Sequence, residues 1–166
     1  MAQPTSKSIR PLPWFWGVLL FWITIDQITK IWAHETLRPI QTQVVIDGYW
    51  NWTYIENTGV AFGFLQGHNT LLALFVLLLI TLSYWVARDF DWRKKEVNLI
   101  GALILSGAIG NAIDRFRHGY VIDFVDWHYQ GWHWPAFNVA DSLICISVTW
   151  IIIRQIFPTK DKMILD

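Results

Sequence analysis

The sequence predicts an all-α membrane protein, four transmembrane helices with a small sheet on the outer face, and three observations carry that reading. Of 166 residues, 54% are hydrophobic and 16% charged, with a mean hydropathy of +0.32, more apolar surface than one soluble core would hide. Four apolar runs, at about 14–32, 70–87, 97–113 and 137–157, are long enough or nearly so for the ~20 helical residues that a bilayer requires. Lys and Arg are also divided unevenly between the connections, as positive-inside sorting demands. No internal repeat, low-complexity tract or change of composition divides the chain, so residues 1–166 form one integral membrane domain.

In chain order, Lys7 and Arg10 precede an apolar stretch at 14–25 that has the outline of a cleavable signal sequence. No small-x-small cleavage site follows Trp32, so the run is expected to stay as the first span. In the outer connection, 34–69, Trp50-Asn51-Trp52-Thr53-Tyr54-Ile55 alternates large apolar and polar side chains with a period of two, a strand signal. Asn57-Thr58-Gly59 then offers turn chemistry before Ala61-Phe62-Gly63-Phe64, which points to a small antiparallel sheet lying on the membrane surface. The short inner connection, 88–96, is densely charged and reads as a topology anchor against anionic headgroups. The second outer connection, 115–136, holds Trp127, Trp132 and Trp134, the residue type of an interfacial belt.

The formal net charge is zero, so no global field draws the chain to nucleic acid. The single cysteine, Cys145, lies in an apolar run and is expected to pack there, with no disulfide and no thiol chemistry. Asp126, His128 and His133 form the one set of residues that brings a metalloprotease to mind, but no His-Glu-x-x-His is present. Their aromatic neighbours make them interfacial surface, and no metal or organic cofactor is expected. A proton-coupled carrier would need inverted repeats or broken helices at mid-membrane, and neither is evident.

An ionisable side chain inside a membrane helix costs about 2.5 to 3.5 kcal/mol on insertion scales, so each needs a reason. Asp26, Asp114, Asp123 and Asp141 all fall near one depth, at the outer surface. Asp26 and Lys30 stand four apart in the favourable order for an ion pair that pins the first helix. Asp114 reads as a helix-end ion pair with Arg115 or as a hydrogen-bond hub, while Arg115 could equally clamp a substrate carbonyl or a lipid headgroup. Asp123 and Asp141 have no basic residue at i±3 or i±4. Asp123 sits in an apolar frame at 120–125, and Asn138 can cap the fourth helix with Asp141 in its first turn. Two carboxylates in a poorly solvated place share a proton and divide the acid and base work of peptide hydrolysis. Spacing alone favours a structural polar network over such a dyad.

Five blocks, in order, resemble lipoprotein signal peptidase, also called signal peptidase II: Asp26-Gln27-Ile28-Thr29-Lys30, Asn57-Thr58-Gly59-Val60-Ala61-Phe62, Gly107-Ala108-Ile109-Gly110-Asn111-Ala112-Ile113-Asp114-Arg115, Gly119-Tyr120-Val121-Ile122-Asp123-Phe124 and Phe137-Asn138-Val139-Ala140-Asp141-Ser142. The resemblance spans about 14–157 and departs where the glycine pair that usually opens the third block reads Ser106-Gly107. It implies a bacterial inner-membrane aspartyl endopeptidase of four helices, with a periplasmic β-cradle, a short periplasmic helix and a site near the periplasmic face. The implied catalytic pair is Asp123 and Asp141, with Asn57, Gly59, Asn111, Arg115 and Asn138 binding or supporting substrate, and Asp26, Lys30 and Asp114 as structural polar residues. The implied substrates are prolipoproteins whose lipobox cysteine carries a diacylglyceryl group, cut on the N-terminal side of that cysteine, with membrane lipid as the other partner.

Nine of the 13 Lys and Arg residues (Lys7, Arg10, Arg88, Arg93, Lys94, Lys95, Arg154, Lys160, Lys162) fall on one side of the four runs, which makes both termini cytoplasmic. In a Cys145→Ala background, a cysteine at position 94 should resist an impermeant reagent added outside intact cells; labelling there would invert the topology.

Overall fold

The computed structural model describes residues 10–59 and 91–157. Within them lie three long helices, α1 (Trp14–Thr36), α2 (Lys95–His118) and α3 (Val139–Ile156), and four strands, β1 (Thr42–Ile46), β2 (Trp50–Asn57), β3 (Val121–Tyr129) and β4 (Trp132–His133). α2 and α3 are long and apolar enough to cross a membrane. α1 has the length for a span at 23 residues, with Asp26, Gln27 and Lys30 lowering its hydropathy. Leu20, Phe21 and Ile28 on α1, and Ile146, Ile152 and Ile156 on α3, remain exposed, an apolar outer surface suited to lipid. The expected span at 70–87, and the 61–64 segment expected to join the sheet, lie outside the described residues. The short periplasmic helix is not among the described elements.

Both α1 and α2 outrun their apolar runs at the end that meets the sheet. α1 continues to Thr36 because Ala33 and, one turn on, Leu37 are fully buried against Tyr54, Ile122 and Phe124 of the sheet. α2 continues past 113 to His118 and stops at Gly119, whose φ of +79° supplies the left-handed cap that a side chain would resist. Asp114, Arg115 and Arg117 therefore sit on the last turns of a helix and not in a connection.

The sheet is antiparallel in the order β1-β2-β3-β4 and stands where α1 and α2 finish and α3 begins. Gln130 and Gly131, with φ of +49° and +81°, make the two-residue turn between β3 and β4, the geometry that matches strand twist. Of the second outer connection, 115–136, residues 115–118 complete α2 and 121–129 form the strand that links β2 to β4. Val121, Ile122, Asp123 and Phe124 are all buried, so both faces of β3 are covered and the sequence shows no alternation there.

β2 carries a bulge that matters for the site. Trp50 and Trp52 pair with Trp127 and Val125, whereas Ile55 and Asn57 pair with Asp123 and Val121, so β2 spends one extra residue between Trp52 and Ile55. Past this register shift Asn57 pairs with Val121, two residues from Asp123, and so shares the face that carries Asp123.

At the opposite end of the helices, Asn98 is fully buried. Its Oδ1 accepts from Leu12 N at 2.7 Å and its Nδ2 donates to Trp92 O at 2.6 Å and Lys94 O at 3.0 Å, joining the entries of α1 and α2. Glu96 closes the same end by accepting from Arg154 and Trp150 of α3. Asn98→Ala leaves three backbone groups without that partner and should cost about 1–3 kcal/mol. Thermal unfolding in detergent should show a clearly lowered midpoint; an unchanged one would deny Asn98 this role.

Candidate active site

Lys30 is the centre of the polar structure between the helices. The residue is 1% exposed, and its ammonium spends its three protons on Asp26 Oδ2, Asp114 Oδ2 and Asn111 Oδ1, each at 2.9 Å. The acceptors reach onward in turn. Asp26 Oδ1 accepts from Ala140 N at 2.9 Å and so caps the first turn of α3 from α1. Asp114 Oδ2 accepts from Ile122 N at 3.2 Å, tying α2 to β3. Gln27, to which the sequence assigned no role, donates to Asp114 Oδ1 at 3.1 Å and lies 3.3 Å from Asp26 Oδ2. Asp26 and Lys30 pair as their spacing predicts, and Asp114 is a hub, bonded to Lys30 and not to Arg115.

Close approach of the helices depends on small residues. A Cβ on Gly110 would collide with the Asp26 carboxylate, and one on Gly107 would collide with Ala140 O and Ile144. Ser106 takes the place of a glycine without harm: its buried hydroxyl donates to Ala102 O at 2.6 Å.

Asp123 and Asp141 come from different elements, β3 and α3, and meet around one side chain. Asn138 is the N-cap of α3, with its Oδ1 accepting from Asp141 N at 3.0 Å while its own N donates to Asp141 Oδ2 at 3.2 Å, a reciprocal capping box. The amide nitrogen of the same Asn138 donates to Asp123 Oδ1 at 2.7 Å. Asn57 Nδ2, aimed by the bulge, donates to the other oxygen of Asp123 at 2.8 Å. Asn111 Nδ2 donates to Asp141 Oδ1 at 2.8 Å, and Asn111 Oδ1 accepts from Lys30 and from Asn138. Three asparagines thus hold both acids, and one of them joins the pair to Lys30.

Neither acid has a basic residue in an ion pair among the described residues. Burial drives the Asp123 carboxyl up, and the charge of Asp141 pushes it further, to about 7, against the hydrogen bonds from Asn57 and Asn138. Arg115 approaches from the last turns of α2, where its Nη2 donates to Gly59 O at 3.0 Å, and Gly59 N donates to Asn57 Oδ1 at 2.9 Å. The Arg115 Nε is buried and without a hydrogen-bond partner among the described residues. Asp26, Lys30, Asn57, Gly59, Asn111, Asp114, Arg115, Asp123, Asn138 and Asp141 therefore belong to one connected network; the sequence did not reveal the β2 bulge or the Gln27 bridge.

An enzyme fold of the bacterial membrane, with long helices and a small antiparallel sheet at one end, accounts for this arrangement. A bacterial membrane enzyme solved by the in meso method at 2.3 Å resolution superposes with a TM-score of 0.79 at 31% identity, covering 95% of this chain and 96% of that one. A second, solved at 1.9 Å, gives 0.73 at 32% identity over 87% of this chain and 94% of its own. The lipoprotein signal peptidase of Shewanella piezotolerans is 39% identical over 96% of this chain and 95% of its own, and that of Geobacter sulfurreducens 41% identical over 89% and 94%. The family described as signal peptidase (SPase) II matches residues 18–157. The chain belongs to the signal peptidase II family and is a peptidase, a hydrolase of lipoprotein processing.

The Lys30 network makes a graded prediction. Lys30→Met leaves two buried carboxylates without their cation and should cost about 3–5 kcal/mol. Asp26→Asn keeps Lys30 paired to Asp114 and lowers the charge of the cluster from −1 to zero, so its loss of folded protein in detergent should be smaller. Equal yields and melting points for the two variants would contradict the hub.

Proposed function

We propose that the chain is a single-domain aspartyl endopeptidase of the bacterial inner membrane, four-span and with both termini cytoplasmic. It acts on prolipoproteins and cleaves N-terminal to the lipobox cysteine that carries diacylglyceryl, with its site near the periplasmic face. The observation that carries the mechanism is Asn138, whose one side chain and backbone N–H bond both acidic residues and fix them as a pair.

In this reading Asp123 and Asp141 hold one proton between them. The ionised member takes a proton from water as the water attacks the scissile carbonyl; the protonated member donates a hydrogen bond to the developing oxyanion. The proton taken from water then passes to the leaving amine, and the pair returns to its single-proton state. Asn57, Asn111 and Asn138 orient the acids without supplying charge that would fix both as carboxylates. Arg115, anchored by Gly59 O and with a spare buried N–H, is suited to hold a substrate carbonyl or the headgroup side of the modified cysteine. The apolar signal helix docks among the spans, the acyl chains stay in lipid, and water enters from the sheet side.

Purified protein should cleave a diacylglyceryl-modified lipobox peptide, and Asp123→Asn and Asp141→Asn should each lower turnover at least ~10³-fold while the protein stays folded. The double variant should be scarcely worse than either single one, since the pair acts as a unit. Near wild-type cleavage by either folded variant would sink the mechanism. The pH profile follows from the raised Asp123 carboxyl: the singly protonated pair persists up to its upper titration step and disappears as pH rises through it. kcat/KM should therefore fall on the alkaline side from about pH 7, and a profile flat to pH 10 would contradict the shared proton.

A further inference from the structure

Asp126 and His128 lie beyond Asp123 along β3, toward the turn into β4. His128 is two residues beyond Asp126, which places both on one face of the strand. His133 is the cross-strand partner of His128 in the β3–β4 ladder. One ligand atom from each of the three lies within 4.8 Å of the other two. His133 Nδ1 is 2.7 Å from Asp126 Oδ1, and His128 Nδ1 is 3.7 Å from Asp126 Oδ2. The two imidazoles stack with centroids 4.8 Å apart and 17° between planes, so their Nδ1 edges face the same space.

Two details separate this set from an ordinary surface cluster. His128 Nδ1 is buried and has no hydrogen-bond partner among the described residues, although hydrogen-bonding atoms so placed are seldom left unused. Asn51, the cross-strand partner of Asp126 on β2, donates to Asp126 Oδ2 at 3.1 Å and orients the carboxylate as carboxylates on metals are oriented. The sequence reading of these residues as interfacial surface had no means of pairing His133 with His128, because that pairing rests on the turn at Gln130-Gly131.

We propose that Asp126, His128 and His133 bind a zinc ion on the outer sheet. Two imidazole nitrogens and one carboxylate oxygen are a donor set that zinc takes tetrahedrally, with bonds of about 2.0 to 2.2 Å and water in the fourth position. Asp126 and His128 side chains are 12% and 13% exposed, whereas that of His133 is 54% exposed, so the ion enters and keeps its water on the His133 side. Binding needs movements of about an ångström at the side-chain ends to bring the three atoms to tetrahedral separations. The ion staples the two-residue β4 to β3 and neutralises Asp126; it takes no part in hydrolysis, and the proposal does not rest on the Asp123–Asp141 reading.

The test uses full-length protein in detergent with no histidine tag, stripped by chelator and dialysed. On titration with zinc sulfate it should take up one zinc per chain, and its melting temperature should rise with added zinc. Cobalt(II) in place of zinc should give visible d–d bands of a tetrahedral site. His133→Ala, on an exposed edge and therefore expected to fold, should lose the bound ion, the bands and the zinc-dependent rise. His34→Ala, outside the cluster, should keep all three. No stoichiometric zinc in the wild type, or unchanged uptake by folded His133→Ala, would overturn the site.

Discussion

The structure depends on one buried ammonium. Lys30 sits where α1, α2 and the start of α3 converge, and each of its protons goes to a different residue of the network. Desolvating an ion costs several kcal/mol, and the cost is offset only if every bond is made. Displacing any one partner, whether by a Cβ at Gly110 or by a shift of α3 away from Asp26, strands charge in an apolar medium. The hub thereby fixes not only that the helices pack but in what register, because Asp26 meets the first turn of α3 and Asp114 meets the first residues of β3 in one arrangement alone.

That register delivers the two acids. Ala140, held by Asp26, lies next to Asp141, and Ile122, held by Asp114, lies next to Asp123. Each acid is thus one residue from a backbone N–H tied to the Lys30 cluster, and Asn111 closes the circuit from Lys30 itself to Asp141. The division of labour is chemical: the charged cluster positions the backbone, and neutral amides touch the acids. A cation in direct contact with Asp123 or Asp141 would favour the carboxylate and remove the proton on which the proposed acid catalysis depends.

Much of this was legible in the residues and some was not. The Asp26–Lys30 pair and the Asn138 cap are local, three or four residues apart, and local spacing determines them. β2 announced itself by alternating Trp, Asn, Trp, Thr and Tyr. β3 did not, because a strand covered on both faces is a continuous apolar run and shows no period. Hydropathy ends where Asp114, Arg115 and His34 begin, while the helices themselves continue to His118 and Thr36, capped by Gly119 and Leu37. The bulge at 52–55 depends on cross-strand pairing, and no periodicity in β2 alone encodes it.

The claim that binds fold to chemistry is the single proton held between Asp123 and Asp141, and infrared difference spectroscopy of the carboxyl stretch reads it directly. At pH 6, wild-type protein should show a protonated carboxyl band that weakens in Asp123→Asn and in Asp141→Asn, since the charge of each acid, alongside burial, helps hold the proton on the other. A band of undiminished strength in both variants, or wild-type protein with both carboxyls ionised at that pH, would contradict the account.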